Sequence, residues 1–444
     1  MKKVIIIFLF SIGLFFTIQI EVFAKDNIFS INKYQEENLT FIKDSYNEKQ
    51  EKDGILVGGY YLKEKIEKEN NTYNDYQIIV GKYNKQGKLL WEYTYGKTKE
   101  DKINDIVYSY DETGKIDGYI IILETTHDLE EELSTISFIK LNLNGKLIYE
   151  KITNSNINII IPILKEDKTL DYYIGIGTTK REDKEYPLTA KYDRDLNLLW
   201  EKELEEENTK YIDIVPIKED NTYSFALLKE KNDNNQKTVS IIKQDADGNV
   251  IEIIKDKIEE YDSYNLAESD KGFILYGITS EVKLKKGEKS YYIVKYNLEN
   301  TEEWESIGEF PIDEKKSVNL LSQKISEEIK SYYLQYTNPI DSSIEVIELD
   351  STGLFQKKVK KISANYYVIE KFLVDKNTLY FVGQINCMTD DACDYNSNSL
   401  FLISDEDKVI EVKDSDSKNI LITAAFIVVV IVVLIYIKRR KRLT

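Results

Sequence analysis

The 444-residue sequence is poor in the residues from which most catalytic and metal sites are built, with one histidine, His127, and two cysteines. No GxSxG-type sequence surrounds a candidate serine nucleophile. A single histidine cannot assemble a His-rich zinc site, and a serine triad needs both a histidine base and a nucleophile elbow. Because His127 lies in the acidic stretch LETTHDLEE after a candidate strand, we interpret it as a solvated loop residue.

Both ends of the chain carry long apolar runs. The first ends in a small-x-small pattern typical of a secretory signal peptide, and the second, about 27 Å long as a helix, can just span a bilayer. No LPxTG-type motif precedes the second run, and no cysteine lies near the cleavage site at the end of the first. These features argue against sortase or lipoprotein anchoring. Basic residues after a span stay in the cytoplasm. We predict a signal peptide at 1–24, an ectodomain at 25–413, a stalk at 414–419, a transmembrane helix at 420–437 and a basic cytoplasmic tail at 438–444.

The segment between the two apolar ends is strongly acidic. The whole chain has a net charge of −18, to which residues 1–24 contribute +1 and residues 419–444 contribute +5, so residues 25–418 carry −24. Such a surface repels nucleic acid and anionic lipid headgroups. We therefore predict no nucleic-acid partner, and we expect cationic partners or Ca²⁺ to be favoured.

The two cysteines, Cys387 and Cys393, lie close together in INCMTDDACDYN. An exported chain meets oxidising conditions, so we predict a disulfide between them, with two free thiols as the alternative. Closing so short a loop would contribute roughly 2 kcal/mol on the loop-entropy model. Their spacing does not match CxxC, and no other cysteine is available to complete a metal or redox site.

One short sequence recurs along the chain with a period of about 52 residues. Its first clear copy is GKYNKQGKLLWEY, which we align on Lys82. The equivalent positions, separated by 51 to 58 residues, are Lys140, Lys191, Lys243, Lys295, Glu348 and Ser404. The pattern therefore occurs seven times, and the seventh copy is the least clear.

Each copy is typical of a hairpin with a large aromatic residue in its second strand. The only tryptophans each follow the reference position by nine residues, and a tyrosine has the same offset in the second copy: Trp91, Trp200, Trp304 and Tyr149. The turn in five copies contains a residue suited to positive φ, namely Gly87, Gly145, Gly248, Asn300 or Gly353. We interpret the four aromatic residues as packing between neighbouring units rather than as a ligand platform.

Two further strands precede each hairpin. Runs such as GILVGGYY and GFILYGITS are rich in β-branched and aromatic residues, and weaker alternating segments such as INDIVYSY and YIDIVPIK lie ahead of them. Four strands repeated seven times without an intervening helix predict an all-β chain. The expected fold is a seven-bladed β-propeller with four-stranded blades, followed by one C-terminal transmembrane helix.

The repeats KYNKQGKLLWEY, AKYDRDLNLLWEK and VKYNLENTEEWES resemble those of bacterial quinoprotein-like (PQQ-like) propellers. They are also similar to the delta-60-like repeats of secreted bacterial proteins, in which phrases like GGYIVVG and VKLDSNGNxxW alternate. The resemblance covers roughly residues 28–415 and implies a propeller. Such propellers include quinone-dependent dehydrogenases and non-catalytic assembly or adhesion proteins. The chain lacks the adjacent cysteine pair that resembles the quinone-contacting feature of the enzymes, and we predict no organic cofactor.

Two features separate the sequence from propeller sialidases. Their Asp box places a tryptophan three residues after its glycine, whereas Trp91 follows Gly87 by four. They also clamp a carboxylate with three arginines, whereas residues 25–418 contain only Arg181 and Arg194. A hydrolase with paired carboxylates in the central funnel remains an alternative, because acids are abundant although no pair stands out.

Two acidic stretches bunch the oxygen ligands that Ca²⁺ prefers. The first, DADGN at Asp245–Asn249, is the turn of the fourth hairpin, and we interpret it as a turn. The second, TDDACDYNSN at Thr389–Asn398, is an insertion in the last unit. We interpret it as a disulfide-pinned acidic loop, with calcium binding as the alternative.

These observations predict a non-catalytic binding or scaffold module anchored in a bacterial-type membrane, with its ectodomain outside the cell. Its rigid disc would present loops and a funnel to an extracellular protein, peptide or glycan. We expect Glu64–Asp75 to form a long contact loop, with solvated decoration as the alternative. The competing hypothesis, an anchored carbohydrate-active or other hydrolase, requires two carboxylates within about 5 to 10 Å of each other at the funnel mouth.

Overall fold

The computed structural model describes the chain between residues 27 and 411 with gaps. The described ranges are 27–30, 35–68, 71–96, 100–128, 133–182, 184–219, 222–233, 236–256, 258, 261–279, 290–311, 318–325, 328–338, 343–363, 367–375, 378–385, 399–405 and 410–411. The predicted signal peptide, stalk, transmembrane helix and tail lie outside these ranges, as do Cys387, Cys393 and Thr389–Asn398. Within them, no helix is long and apolar enough to cross a bilayer.

The described strands form successive antiparallel units of four, in which each strand pairs with the next along the chain. Unit 1 is β2 (Gln35–Tyr46), β3 (Lys52–Lys68), β4 (Asn71–Asn84) and β5 (Leu89–Tyr95). Unit 2 is β6 (Glu100–Tyr110), β7 (Ile116–Asp128), β8 (Leu133–Asn142) and β9 (Leu147–Thr153). Unit 3 is β10 (Ile157–Leu164), β11 (Leu170–Arg181), β12 (Lys184–Tyr192) and β13 (Leu198–Glu203). Unit 4 is β14 (Thr209–Glu219), β15 (Thr222–Asp233), β16 (Gln236–Asp245) and β17 (Val250–Lys255).

Units 5 and 6 follow the same order, and unit 7 takes its fourth strand from the N-terminal part of the described chain. Unit 5 is β18 (Tyr261–Ser269), β19 (Gly272–Thr279), β20 (Ser290–Tyr296) and β21 (Glu302–Pro311). Unit 6 is β22 (Asn319–Ile325), β23 (Glu328–Thr337), β24 (Ile344–Asp350) and β25 (Phe355–Ser363), with β29 (Ile410–Glu411) added in parallel. Unit 7 is β26 (Tyr367–Asp375), β27 (Thr378–Ile385) and β28 (Ser399–Asp405), and its fourth strand is β1 (Asn27–Ser30). The predicted all-β propeller architecture of four-stranded units is confirmed.

Neighbouring units pack face to face through apolar clusters. At the junction between units 2 and 3 (junction 2–3), for example, the ring of Phe138 lies edge-on to Tyr192 at 5.2 Å. A comparable cluster joins unit 7 to unit 1, where Tyr380 and Val382 pack with Ile55 and Val57. Because full burial of a large apolar side chain contributes roughly 1.5–3 kcal/mol, these junctions supply most of the core.

At three junctions the repeated tryptophan lies against the turn glycine of the next unit. A Cβ atom at Gly145 would overlap the ring of Trp91, whose Nε1 donates a hydrogen bond to the carbonyl oxygen of Leu143 at 2.9 Å. The rings of Trp200 and Trp304 also lie against turn glycines of the following units, Gly248 and Gly353. Each of these glycines has φ between 76° and 78°, in the left-handed region.

Where the aromatic residue changes, the facing turn residue changes with it. Tyr149 packs in the same apolar cluster as Leu196, which replaces the turn glycine with φ of 58°. In unit 4 the position holds Glu252, which accepts a hydrogen bond from Nδ2 of Asn300 in the turn of unit 5. The turn residue is therefore matched to the side chain that covers it, not only to the backbone conformation.

Two local expectations are wrong. Glu64–Asp75 is not a loop, because strands β3 and β4 extend into it from both sides and stay paired, with Glu64 opposite Asp75 and Lys68 opposite Asn71. The alternation of long polar side chains in this stretch suits a hairpin, and Lys63 bridges Asp75 at 3.3 Å. His127 lies within strand β7 rather than in a loop.

We expect the Trp–Gly contact to be replaceable by the Tyr–Leu contact found at junction 2–3. Gly145→Leu alone should destabilise the protein by about 1–3 kcal/mol through overpacking against Trp91. Adding Trp91→Tyr should recover part of this loss, with an interaction free energy of at least about 0.5 kcal/mol. Urea unfolding of the two single variants and the double variant measures the cycle, and strictly additive losses would contradict the matched-pair interpretation.

Candidate functional site

The two ends of the sheets differ in regularity. The turns between first and second strands and between third and fourth strands share one end, which we call the turn face, because antiparallel strands alternate in direction. The connections between second and third strands and between units share the other end, the loop face. Turn-face connections are short and alike, whereas the second-to-third connections on the loop face span from two to thirteen residues between strand ends.

Asx side chains close the turns of the turn face. Oδ1 of Asp245 accepts hydrogen bonds from the backbone N–H groups of Asp247 and Asn249 at 3.0 and 2.8 Å. Its Oδ2 accepts from Nδ2 of Asn249 at 2.9 Å. Burial, the largest single effect, raises the pKa of Asp245, but the hydrogen bonds from Asn249 and Asp247 together outweigh it and hold the pKa below its usual value. The DADGN stretch is thus a hairpin turn whose carboxylate is already engaged.

The loop face has a long groove at junction 2–3. Its cavity of about 900 Å³ lies between the ends of β7, β8 and β9 and the facing ends of β11, β12 and β13. A second cavity of about 400 Å³ adjoins it at the inner end, and Glu124 and Asn158 line both. We call the two cavities together the loop-face groove, which runs from the inner strands towards the rim.

Bulges on two inner strands form the place where the cavities meet. The register of β6 shifts between Ile103 and Asp105, and that of β10 shifts between Ile157 and Ile159, so Asn104 and Asn158 leave the ladder. Nδ2 of Asn104 lies 3.3 Å from Oδ1 of Asn158 and 3.2 Å from Oε2 of Glu124. This amide bridge connects unit 2 to unit 3 beneath the groove.

Hydroxyl, amide and carboxylate groups dominate the groove walls. The polar lining residues of the larger cavity are Glu100, Glu124, Thr126, Ser134, Thr135, Thr153, Asn154, Ser155, Asn156, Asn158, Thr178, Thr179, Lys180, Glu185 and Glu201. Ile136, Ile152 and Leu188 are the apolar ones, and none of the described lining residues is aromatic. Ser155 donates to Glu201, and the backbone N–H of Thr178 donates to the carbonyl oxygen of Asn156 at 3.0 Å, which fixes the connection between the units.

A second set of side chains occupies equivalent positions on the seven inner strands. In chain order these residues are Phe41, Asp105, Ile159, Asp213, Asn265, Asn319 and Lys371. The two acids each bind the next unit through backbone N–H groups. Oδ2 of Asp213 accepts from Leu266 at 2.7 Å, and Oδ2 of Asp105 accepts from Ile160 at 3.4 Å. Asn319 donates to the carbonyl oxygen of Glu370 at 2.9 Å, so it also links two units.

Burial dominates the electrostatics of this axial set. It raises the pKa of Asp105, and it raises the pKa of Asp213 to about 6 against the stabilising effect of two backbone N–H donors, with the Asp105 charge adding to the rise. Burial lowers the pKa of Lys371, which the two carboxylates oppose. Nζ of Lys371 lies 4.5 Å from the ring centroid of Phe41. The two acids thus interact with each other and with Lys371, and each carboxylate is also bonded to backbone on both oxygens.

Four of the five reference lysines form ion pairs inside their units, whereas Lys191 lies over the ring of Tyr172. Lys82 bridges Asp53 at 2.8 Å and is 4% exposed, and Lys140 bridges Asp117 at 2.8 Å. The repeat is therefore maintained by packing and local charge pairs. Among the described residues, no group of three or more potential ligands is arranged to hold a metal ion.

Sequence reasoning missed both the loop-face groove and the axial set. The axial acids were accessible to it, because INDIVYSY and YIDIVPIK place Asp105 and Asp213 at the same position of successive repeats. The groove could not be predicted from the sequence, because its walls come from two units and no motif joins residues such as Ser134 and Thr179.

We expect the stability of the protein to report the ionisation of Asp213. Its folded-state pKa of about 6 exceeds the unfolded value near 3.9, so the folded state binds this proton more tightly and gains stability as pH falls from about 7 to 4. Relative to Asp213→Asn, the wild-type protein should therefore gain on the order of 1–3 kcal/mol between pH 8 and pH 4. Thermal melting of both proteins across this range measures the difference.

Asp245→Asn provides a control of opposite sign. Because the pKa of Asp245 is lowered, its contribution is present above the unfolded value and disappears as pH falls below about 4. The wild-type protein should then lose stability relative to this variant. Parallel curves for wild type and Asp213→Asn would refute the assignment of Asp213.

Comparison with known proteins yields likeness of fold only. No protein-family model matches the chain, and no curated protein matches it. Similar solved structures include the Dos1 propeller, with 8% identity and a TM-score of 0.47 over 87% of this chain and 97% of that one. The β-propeller domain of the Trilobed protease from Pyrococcus furiosus is 15% identical, with a TM-score of 0.42 over 86% and 100% of the two chains. Pyrococcus horikoshii acylaminoacyl peptidase is 15% identical, with a TM-score of 0.44 over 84% of this chain and 52% of its own, so the chain spans about half the length of that peptidase.

Proposed function

We propose that this protein is a non-catalytic binding module that holds a segment of another exported protein in the loop-face groove. The observation that carries the proposal is the groove itself. It combines a volume in the range of ligand sites with a polar lining, and it lies on the face where connections vary in length. The inner strands and their bulges give it a rigid floor, as a scaffold for recognition requires.

The ring that carries the groove is proposed to be a closed seven-bladed propeller. Two contacts support closure, the pairing of β1 with β28 and the packing of unit 7 against unit 1 around Val57 and Tyr380. Apolar clusters at the other junctions support the same count. In such a ring every unit has two covered faces and no sheet face is left open.

The proposed location is the outer face of a bacterial-type membrane. Residues 1–24 would direct export, residues 420–437 would anchor the propeller, and the basic tail would stay in the cytoplasm. The resemblance of the repeats to PQQ-like and delta-60-like bacterial proteins agrees with this location. The Cys387–Cys393 disulfide, which would pin the acidic loop Thr389–Asn398, belongs to the same proposal, with calcium binding by that loop as the alternative, and no organic cofactor is assigned.

A funnel hydrolase is the second candidate. The raised pKa of Asp213 near Asp105 favours it, because a general acid needs such a shift. The hydrogen bonds of these acids favour the binding module instead. Both oxygens of each carboxylate accept backbone N–H bonds, Oδ1 from the next residue of its own strand and Oδ2 from the neighbouring unit, and this engagement suits a structural role.

Site-specific photo-crosslinking in the native membrane tests the binding function. A photoreactive amino acid at Thr179 in the groove should capture one exported protein reproducibly, because Thr179 lines the cavity. The same amino acid at Thr113, in an exposed turn of the turn face, should not. Equal capture at the two positions, or none at either, would contradict the proposal.

Mass spectrometry and protease protection test the location. The mature chain should begin at Lys25, and external protease should degrade the ectodomain of intact cells while sparing an epitope attached after Thr444. An intact N-terminus at Met1, or loss of the epitope together with the ectodomain, would contradict the proposed export and anchoring.

A further inference from the structure

We propose that the loop-face groove is specific for an extended, lysine- or arginine-bearing peptide segment. This inference rests on the proposed function and names the chemical class of the ligand. It depends on three properties of the larger cavity of the groove: the charge of its walls, their hydrogen-bonding groups and the absence of aromatic residues from its described lining, whereas Phe41 and Tyr60 line the smaller cavity.

The charge of the walls favours a cationic ligand. Four glutamates line the larger cavity against a single lysine, Lys180. Lys180 pairs directly across the strands with Glu185, so its charge is opposed locally. Glu100, Glu124 and Glu201 then leave the cavity with a net negative potential. The ectodomain charge of −24 extends this field and would draw a basic segment towards the face.

The hydrogen-bonding groups of the walls suit a peptide backbone. Serine and threonine hydroxyls and asparagine amides each offer both donors and acceptors, as an extended backbone needs. Ser134 and Asn154 lie on the unit 2 side and Thr179 on the unit 3 side, so a segment lying along the groove meets such groups on both walls. Charged groups alone would not select for backbone.

The apolar residues suit a side chain rather than a sugar. Saccharides bind through their C–H faces to aromatic rings, and no described lining residue of the larger cavity is aromatic although 12% of the chain is. Ile152 is instead 61% exposed at the rim, above buried Ile136 and Leu188. One aliphatic side chain of the ligand can cover Ile152 while its basic neighbours face the glutamates.

Fluorescence polarisation with synthetic peptides tests this inference on the full-length protein in detergent. The probes are labelled decapeptides of alternating lysine and valine, of alternating glutamate and valine, and of alternating lysine and serine. The lysine–valine peptide should bind at least tenfold more tightly than the glutamate–valine peptide. Ile152→Ser should weaken binding of the lysine–valine peptide about threefold or more and leave the lysine–serine peptide unchanged.

A charge-matched control separates recognition from general attraction to an acidic protein. Glu100→Gln with Glu185→Gln removes two groove charges, and Glu48→Gln with Glu166→Gln removes two from the turn face. The groove variant should weaken binding of the lysine–valine peptide fivefold or more at 150 mM salt, and the control less than twofold. Equal weakening in both variants would overturn the inference.

The outcomes also separate this inference from the proposed function. If Thr179 captures one protein but the peptides bind without charge preference, the groove is a binding site and its assigned ligand class is wrong. If a neutral oligosaccharide competes at the groove and the lysine–valine peptide does not bind, the class is wrong in the same way. If Thr179 captures nothing and no peptide binds, both the inference and the proposed function fail.

Discussion

The whole structure depends on the fact that each four-stranded sheet is apolar on both faces. Every residue of β19 is buried, and the centre of β7 from Tyr119 to Leu123 is fully covered. A sheet of this kind has no stable form alone, because the apolar side chains of both faces would remain in water. Each unit must therefore be covered by a neighbour on either side, and the first and last units can satisfy this only by meeting each other. The short strand β1 and the contacts of Tyr380 with unit 1 provide that meeting.

This constraint restricts which residues the turn face can carry and leaves the loop face more variable. On the turn face, the aromatic residue of one unit rests on the turn of the next, so a side chain at Gly145 would require a different residue at Trp91. The pairs Tyr149 with Leu196 and Glu252 with Asn300 show that such changes have occurred together. On the loop face, the connections differ in length, and a cavity of about 900 Å³ separates two units. Recognition is best placed where the repeat is free to vary.

The repeat made the fold predictable from the sequence. Features that depart from the repeat could not be predicted. A fixed offset from Lys82 to Trp91 located the hairpins, and β-branched runs located the other strands. The sequence does not reveal the closing strand β1, because its four residues, NIFS, carry no copy of the repeat. The copy at Ser404 is degenerate because its strand, β28, pairs with this N-terminal strand. Glu64–Asp75 forms paired strands instead of the expected loop, because a two-stranded hairpin can extend through an insertion of polar residues. The groove depends on how far two sheets separate, which no local sequence encodes.

The groove opens at junction 2–3 because different interactions hold the two ends of that junction. Near the turn face, Tyr149 and Leu196 close it with apolar contacts. At the inner strands, Ile160 N lies 3.4 Å from Asp105, whereas the equivalent bond of Leu266 to Asp213 is 2.7 Å, so junction 2–3 is the looser of the two. The amides of Asn104 and Asn158 bridge the remaining space. A ligand bound in the groove would contact both units, so its binding free energy would stabilise the packing of unit 2 against unit 3. The proposed binding and the packing of units 2 and 3 would therefore be thermodynamically linked.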